Sequence, residues 1–324
     1  MKTKVFSILL AAVLVISCLA SACGKKDDNY VVQIASGAAL CSAPIYIAIE
    51  QGFLDEEGVS YSYNMSEGNQ WDLMAAGKND YCYGLLPTFV QRIANGFDMQ
   101  IVMGDHYGCI NAVASDKSGI KSIKDLKGKR VGIPTGMGSD PAIMLQRMLV
   151  YYGIPIEEVD LQVFTNADLA PALQEDRIDA FIAWDPYASI VAGYDGIHEI
   201  YNQANDPATK DEYCCVTGFR TGFVKDHPDV AKKFVAALCK ACDWIAAHPE
   251  EAAKISYEKA YIADPDYVFN GKLLDTYRYG GKFQAAKDSF IQCAKDLMDL
   301  KIVNISMTAE QLADSCHENV GQIK

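Results

Sequence analysis

The chain has 324 residues, half of them hydrophobic, and a formal net charge of −13. This length suffices for one large domain or two modest ones, and the hydrophobic content can fill a sizeable core. Because the chain is acidic and shows no basic stripe, it is a poor candidate for binding nucleic acid.

The N-terminus has the pattern of a secretory signal. Lys2 and Lys4 precede a mostly apolar stretch over 5–19, and small residues lead up to Cys23. A positive start, an apolar run and small residues before the cut are the parts of such a signal. The apolar run is shorter than the roughly 20 residues that a membrane-spanning helix needs. We therefore expect residues 1–22 to be a signal peptide.

The small residues before Cys23 resemble a bacterial lipobox, in which the cysteine becomes the lipidated N-terminus. On this interpretation residues 23–30 are a tether, and the protein is lipid-anchored on the outer face of the cytoplasmic membrane or lies in the periplasm. Two alternatives stay open, namely lipidation at Cys18 and an ordinary signal cut after Ala22.

The segment over 31–115 alternates predicted strands and helices. The predicted strands are 31–36, 59–64, 81–85, 99–104 and 111–115, and the predicted helices are 45–51, 70–76 and 87–94. This alternation is typical of a parallel sheet covered by helices.

The same rhythm restarts after Ile120, so the sequence predicts two similar α/β units. The second unit has predicted strands at 130–133, 161–165, 178–183 and 198–201, and predicted helices at 141–152, 168–175 and 186–192. Its first strand leads into a glycine turn, with Asp140 as a plausible N-cap and Pro141 at the first helical position. A helix start after such a turn is a common place to hold a small polar ligand. We expect the chain to cross between the units near 111–116 and 203–212.

The C-terminal third is mainly helical. Strands are predicted at 213–217 and 221–225, and helices at 229–247, 250–261, 266–279, 283–300 and 308–316. Thr308 and Gln311 fit a capping box at the start of the last helix. We expect these helices to pack on the first unit.

Cysteine usage predicts no disulfide framework. The chain has eleven cysteines, and a body of this size does not need such a framework. We expect most of them to be small buried apolar residues. Cys239 and Cys242 have CxxC spacing without a second ligand pair nearby, and none of the histidines falls in a metal or triad spacing. The sequence therefore predicts no metal, no cofactor and no catalytic residue.

Four stretches resemble the substrate-binding proteins of bacterial ABC importers, in the group that carries aliphatic sulfonates, taurine, nitrate and thiamine-precursor pyrimidines. They are APIYIA through QGF to EG at 43–58, SIKDLKGKRV at 122–131, AL through RIDA to WDPY at 172–187, and HPD through W to HPEE at 227–251.

The resemblance implies an α/β, two-lobed periplasmic-binding-protein-like fold of type 2. Lobe 1 would comprise 31–113 plus 205–324, and lobe 2 would comprise 114–204. A small-molecule solute would bind in the cleft and the lobes would close by hinge bending. The implied partners are ABC permease subunits with a separate ATPase, and we expect a monomer.

The resemblance also implies that the ligand-binding residues lie in loops after strand ends. On this sequence they are Cys41, Ser42, Asn69, Gln70, Pro87, Thr88, Tyr107, Gly138, Ser139, Asp140, Trp184 and Asp185.

The predicted residues leave the charge of the solute open. Ser42 and Ser139 suit a sulfonate or nitrate, whereas Asp140 and Asp185 would repel an anion and suit a ligand with N–H groups. Trp71, Trp184, Tyr107 and Tyr187 could stack on a flat pyrimidine or flavin ring. The alternative of another class is an enzyme of thiamine-pyrimidine synthesis with the same fold, and His106 is the histidine placed to face a cleft.

Overall fold

The computed structural model describes residues 29–65 and 70–320, and the chain from Val31 onward forms one compact unit. The predicted signal peptide, the candidate lipidation sites Cys18 and Cys23, and the site residue Asn69 lie outside the described residues. Within those ranges, no helix combines the length and apolar character needed to cross a membrane.

The described residues form ten strands and thirteen α-helices. The strands are β1 Val32–Ser36, β2 Tyr61–Met65, β3 Tyr81–Leu85, β4 Met99–His106, β5 Ile110–Ser115, β6 Arg130–Pro134, β7 Asp160–Phe164, β8 Ala180–Trp184, β9 Ile197–Asn202 and β10 Cys215–Arg220. The helices are α1 Ala43–Glu50, α2 Phe53–Glu56, α3 Gln70–Ala75, α4 Leu86–Ala94, α5 Asp140–Tyr151, α6 Asn166–Gln174, α7 Tyr187–Ala192, α8 Thr221–Asp226, α9 Pro228–Ala247, α10 Pro249–Glu258, α11 Tyr267–Thr276, α12 Phe283–Asp299 and α13 Ala309–Cys316.

The strands make two five-stranded sheets of the same design. The first has the order β2-β1-β3-β10-β4 and the second has the order β7-β6-β8-β5-β9. In each sheet the first three strands are parallel, and the fourth position is filled by an antiparallel strand from the other half of the chain. The two predicted α/β units and the two crossovers are confirmed, but the sheets are mixed where the alternation predicted parallel ones.

The predicted boundary between positions 113 and 114 falls inside β5. All of this strand belongs to the second sheet, where Ile110 to Ala114 pair with β8. The limits of the two lobes stay a prediction. Because β5 pairs with the second sheet, a boundary near the start of β5 is preferred to one at 113/114.

The two connections between the sheets touch at Gly108 and Ala204. Gly108 has a φ of 67°, and a Cβ placed on it would lie 2.5 Å from the Cβ of Ala204 and 2.7 Å from its backbone nitrogen. Glycine adopts a positive φ without steric cost and has no side chain to collide. The close contact of the two connections therefore depends on glycine at position 108.

Residues 221–225, predicted as a strand, form helix α8 instead. Phe223 and Val224 favour strands by intrinsic preference, but both are buried, and tertiary packing overrides such a preference. The strand before it ends at Arg220, whose guanidinium binds Asp80 at 2.7 Å. The chain leaves the first sheet at that ion pair.

The C-terminal helices pack on the first sheet, as predicted. Phe290 and Leu297 of α12 and Leu312 of α13 share one apolar cluster with Phe89 of α4 and Val216 of β10. The predicted capping box is also present, since the Thr308 hydroxyl accepts from the backbone of Gln311 at 3.2 Å and the Gln311 side chain accepts from Thr308 at 2.9 Å.

Candidate functional site

Strand ends from distant parts of the sequence meet at one end of the strands of the first sheet, which is called the edge below. Cys215, at the start of β10, pairs with Leu85 at the end of β3 and with His106 at the end of β4. The 3-10 turn that follows β1 brings Cys41 to the same edge, because the Tyr83 hydroxyl donates to the Cys41 carbonyl.

A compact sulfur and imidazole cluster occupies this edge. One donor atom from each of Cys41, His106, Cys109 and Cys215 lies within 4.8 Å of the others. Burial lowers the pKa of His106, but the neighbouring thiols of Cys215 and Cys41 outweigh it and raise that pKa to about 10. Of these four residues only Cys41 was predicted as a site residue.

Aromatic rings surround His106. Tyr277 stacks on its imidazole with ring centroids 4.9 Å apart, and Tyr279 lies 5.2 Å away. The Tyr83 hydroxyl lies 2.8 Å from Nε2 of the same ring. The hydroxyl of Tyr279 is buried and has no hydrogen-bond partner among the described residues. Sequence reasoning missed the three tyrosines, since none of them follows a predicted strand end.

Asp140, in the half of the molecule built around the second sheet, reaches Thr88 in the half built around the first sheet. Its Oδ1 accepts from the Thr88 backbone at 3.0 Å and from the Thr88 hydroxyl at 2.7 Å. Burial raises the pKa of Asp140 to about 6, although the bonds from Thr88 and the charge of Arg92 act in the opposite direction. Asp140 is the first residue of α5 and Ser139 is the N-cap, so the predicted cap was wrong by one position.

Asp185 makes a second link of the same kind. Its carboxylate accepts from the Asn111 amide at 2.9 Å and the Ser189 hydroxyl at 2.6 Å, both on elements of the second sheet and its helices. It also accepts from the Tyr277 hydroxyl, which lies at the end of α11, at 3.3 Å. Burial raises the pKa of Asp185 to about 6 against the bonds from Ser189 and Asn111.

Several other predicted residues make hydrogen bonds or ring contacts with nearby protein groups. Gln70 bonds to the backbone of Tyr83 at 2.8 and 3.3 Å, and the ring of Tyr107 stacks on Tyr213 at 4.3 Å. Ser139 donates its hydroxyl to the Gly136 carbonyl at 2.9 Å.

The remaining predicted residues divide by exposure. Ser42 is buried as the N-cap residue of α1, and Pro87 is buried in the first turn of α4. Trp184 is half-buried against the core of the second sheet, and Gly138 is exposed in the loop before α5. Of these four residues only Gly138 is exposed.

A cavity of about 430 Å³ lies away from the strand ends. It is lined by residues of α5 and α12, among them Arg147, Tyr151 and Asp296. None of the predicted site residues lines it, so it is not the candidate site.

Comparison with solved structures shows the class of fold. The periplasmic aliphatic sulphonate binding protein SsuA of Escherichia coli superposes with a TM-score of 0.75 at 16% identity, over 91% of this chain and 94% of that one. The two mixed sheets are therefore those of the periplasmic binding protein fold, as predicted.

Residues 41–252 match the family model described as NMT1/THI5 like, and the chain belongs to that family. A putative aliphatic sulfonates-binding protein of Bacillus subtilis is 26% identical over 260 residues, 76% of each chain. A putative thiamine biosynthesis protein of Haemophilus influenzae is 29% identical over 232 residues, 69% of this chain and 71% of the other. The family resemblance inferred from the sequence is confirmed.

Proposed function

We propose that this protein is the extracytoplasmic receptor of an ABC importer. It captures a small organic solute between its two halves and delivers it to a membrane permease that a separate ATPase drives. The observation that supports this most is that Asp140 and Asp185, beside the second sheet, bond to Thr88 and Tyr277, which belong to the half built around the first sheet. Halves held by a few polar contacts can open and close by hinge bending.

The proposed solute is of the sulfonate, taurine or nitrate type. From the sequence alone, Asp140 and Asp185 were expected to repel an anionic solute. In the structure both carboxylates already accept hydrogen bonds from protein donors. Each carboxylate is therefore committed to protein contacts, so other groups would hold the anion. The name of the Bacillus subtilis relative supports the same class of solute.

A flat heterocycle, such as a thiamine-precursor pyrimidine or a flavin, is the second candidate. His106 lies against Tyr277 and Tyr279, and aromatic rings of this kind stack on planar ligands. The Haemophilus influenzae relative is named for thiamine biosynthesis.

Thermal-shift measurements on purified protein test the proposal. The panel contains an alkanesulfonate, taurine, nitrate, an aminopyrimidine and a flavin. A bound solute stabilises the folded state by RT ln(1 + [L]/Kd), so at 100 times Kd the gain is about 2.7 kcal/mol. A rise with a sulfonate supports the first candidate, and a rise with the pyrimidine or flavin alone supports the second. No shift with any solute at millimolar concentration contradicts a receptor role.

The same samples discriminate the receptor from an enzyme of thiamine-pyrimidine synthesis. Mass spectrometry should recover a bound solute unchanged after prolonged incubation. Conversion of the solute into a new compound would overturn the receptor proposal and support the enzyme.

We also propose that Cys23 carries a lipid and holds the protein at the membrane as a monomer. Cells expressing the full chain are labelled with an alkyne fatty acid. Label should enter the wild type and be lost in Cys23→Ser, while Cys18→Ser keeps it. Label lost only in Cys18→Ser would move the anchor to the alternative position.

A further inference from the structure

The sulfur and imidazole cluster combines four parts of the chain. Cys41 lies in the turn after β1, His106 ends β4, Cys109 lies between β4 and β5, and Cys215 begins β10. The donor atoms lie within 4.8 Å of one another, and three of the four residues are buried. No two of them are close enough in the sequence to form a recognisable metal motif except His106 and Cys109.

The spacing of the donors fits a small tetrahedral site. With metal–sulfur bonds of about 2.3 Å and metal–nitrogen bonds of about 2.0–2.1 Å, the ligand atoms of a tetrahedron lie roughly 3.5–3.8 Å apart. Small side-chain rotations bring donors within 4.8 Å to that separation. Three sulfurs and one imidazole are a soft ligand set that selects Zn²⁺ or Cu(I) over Mg²⁺ or Ca²⁺.

We propose that Cys41, His106, Cys109 and Cys215 bind one thiophilic d¹⁰ cation, with Zn²⁺ the first candidate. The proposal stands on the cluster and goes beyond the solute-receptor role. Cys109 lies in the first connection between the sheets and Cys215 directly follows the second. A bound cation therefore ties both connections to the edge of the first sheet.

Neighbouring side chains supply the support that a metal site needs. The Tyr83 hydroxyl at 2.8 Å and the stacked ring of Tyr277 hold the imidazole of His106 in one orientation. The ring of Tyr279 lies 5.2 Å from the same imidazole, and its buried hydroxyl has no partner among the described residues. Such outer contacts orient ligands and tune their basicity.

Formation of a disulfide bond between Cys214 and Cys109 would compete with metal binding. The sulfur of Cys214 lies 3.2 Å from that of Cys109, which is far longer than the about 2.05 Å of a disulfide bond, and both cysteines are free thiols in this structure. An oxidised Cys109–Cys214 pair would remove Cys109 from the ligand set. A test must therefore separate metal binding from disulfide formation.

The test uses the mature chain, stripped with a chelator and kept reduced without oxygen. Zn²⁺ and Cu(I) are titrated separately and the bound metal is counted by mass spectrometry, with Co²⁺ absorption as a probe of tetrahedral thiolate coordination. We expect one equivalent of metal in the wild type, and at least a tenfold loss of affinity in Cys41→Ser and Cys215→Ser.

Two controls make the result specific. Cys239→Ser changes a cysteine that is half-buried like Cys41 but lies on α9 outside the cluster, and it should bind metal as the wild type does. Cys214→Ser cannot form the competing disulfide and should also keep full binding. Circular dichroism verifies that each variant is folded.

The outcomes are distinguishable from those of the solute test. No metal retained by the reduced wild type, equal losses in Cys215→Ser and Cys239→Ser, or only a Cys109–Cys214 disulfide overturns the metal site. If solutes shift the melting temperature of metal-free protein, a failed metal site leaves the receptor role intact. If metal binds but no solute does, the receptor role fails alone.

Discussion

The guanidinium of Arg147 donates two parallel hydrogen bonds to the carboxylate of Glu212, at 2.7 and 2.6 Å. Both side chains are almost fully buried, with exposures of 2% and 8%. Arg147 lies on α5 beside the second sheet, whereas Glu212 lies in the segment that returns the chain to the first sheet. Asp296 of α12 accepts a further bond from Arg147 at 2.8 Å. The two halves are therefore joined at this point by a buried ionic contact.

Arg147→Met should destabilise the fold by about 3–5 kcal/mol, because it leaves the Glu212 charge buried without a partner. The free energy of unfolding in urea is the measurement. Arg130→Met is the matched control, since Arg130 also binds a carboxylate, that of Asp179 at 2.7 Å, but with side-chain exposures of 40% and 21%. Ion pairs open to solvent contribute about 0–1 kcal/mol, so the loss in Arg130→Met should be clearly smaller than in Arg147→Met. Equal losses in the two variants would contradict the assigned role of burial.

Asp140 should make stability depend on pH between about 4 and 6. Its pKa is raised from an ordinary 3.8 to about 6 by burial, so the folded state binds more protons than the unfolded state in that window. Stability from this group is present at low pH and is lost as pH rises through 6. Thr88 and the cation of Arg92 are the groups that oppose the shift.

Asp140→Asn removes this titration while its amide oxygen still accepts from Thr88. Relative to the variant, the wild type should lose up to about 3 kcal/mol of unfolding free energy between pH 4 and pH 6. Asp179→Asn is the control of opposite sign, because the Arg130 hydrogen bond lowers the pKa of Asp179. A pH profile of stability that is unchanged by Asp140→Asn would refute the buried charge.

Gly108→Ala should weaken the contact between the two connections. The new methyl group would collide with Ala204 at a position whose φ of 67° already disfavours a side chain. We expect a loss of about 2–4 kcal/mol from strain and overpacking together. Gly119→Ala has a similar φ of 71° but nothing within 4 Å of the added Cβ. Its loss should be limited to about 1 kcal/mol by the left-handed backbone alone, and thermal or urea unfolding compares the two.

Thr88→Val should shift the two halves toward an open arrangement. The change removes the hydroxyl bond to Asp140, and a hydrogen bond to a charged group contributes about 1.5–3 kcal/mol. Small-angle scattering should show a larger radius of gyration, and a solute that binds between closed halves should bind roughly tenfold more weakly or worse. Thr276→Val is the control, since that hydroxyl donates only to a nearby backbone carbonyl at 2.7 Å. Unchanged scattering and affinity in Thr88→Val would contradict a role of this bond in closure.

The sequence predicted the local elements well because they follow from hydrophobic periodicity and turn residues. It placed Asp140 at the start of a helix, but the bond to Thr88 joins positions 52 apart and depends on how the two sheets face each other. The side chain therefore binds a distant part of the protein, where the sequence suggested a helix cap or a solute contact.

The cysteine cluster was missed for a topological reason. Cys215 reaches Cys41 and His106 only because β10 runs antiparallel between β3 and β4. A periodic pattern predicts that a strand exists, but it does not specify its neighbours or its direction. One signal was present in the sequence: His106 and Cys109 directly precede the predicted first crossover, and the Cys214–Cys215 pair follows the second.

The exchange of one strand between the sheets also constrains how the chain can fold during its synthesis. Strand β4 ends at position 106, but β10, which must lie between it and β3, begins only at position 215. While the nascent chain leaves the ribosome, the strand position between β3 and β4 stays empty. It is filled only after the chain has been synthesised as far as β10. The first sheet consequently cannot be completed before the second half of the molecule has been synthesised. A fragment that stops before residue 215 is expected to expose unpaired strand edges and to aggregate or bind chaperones.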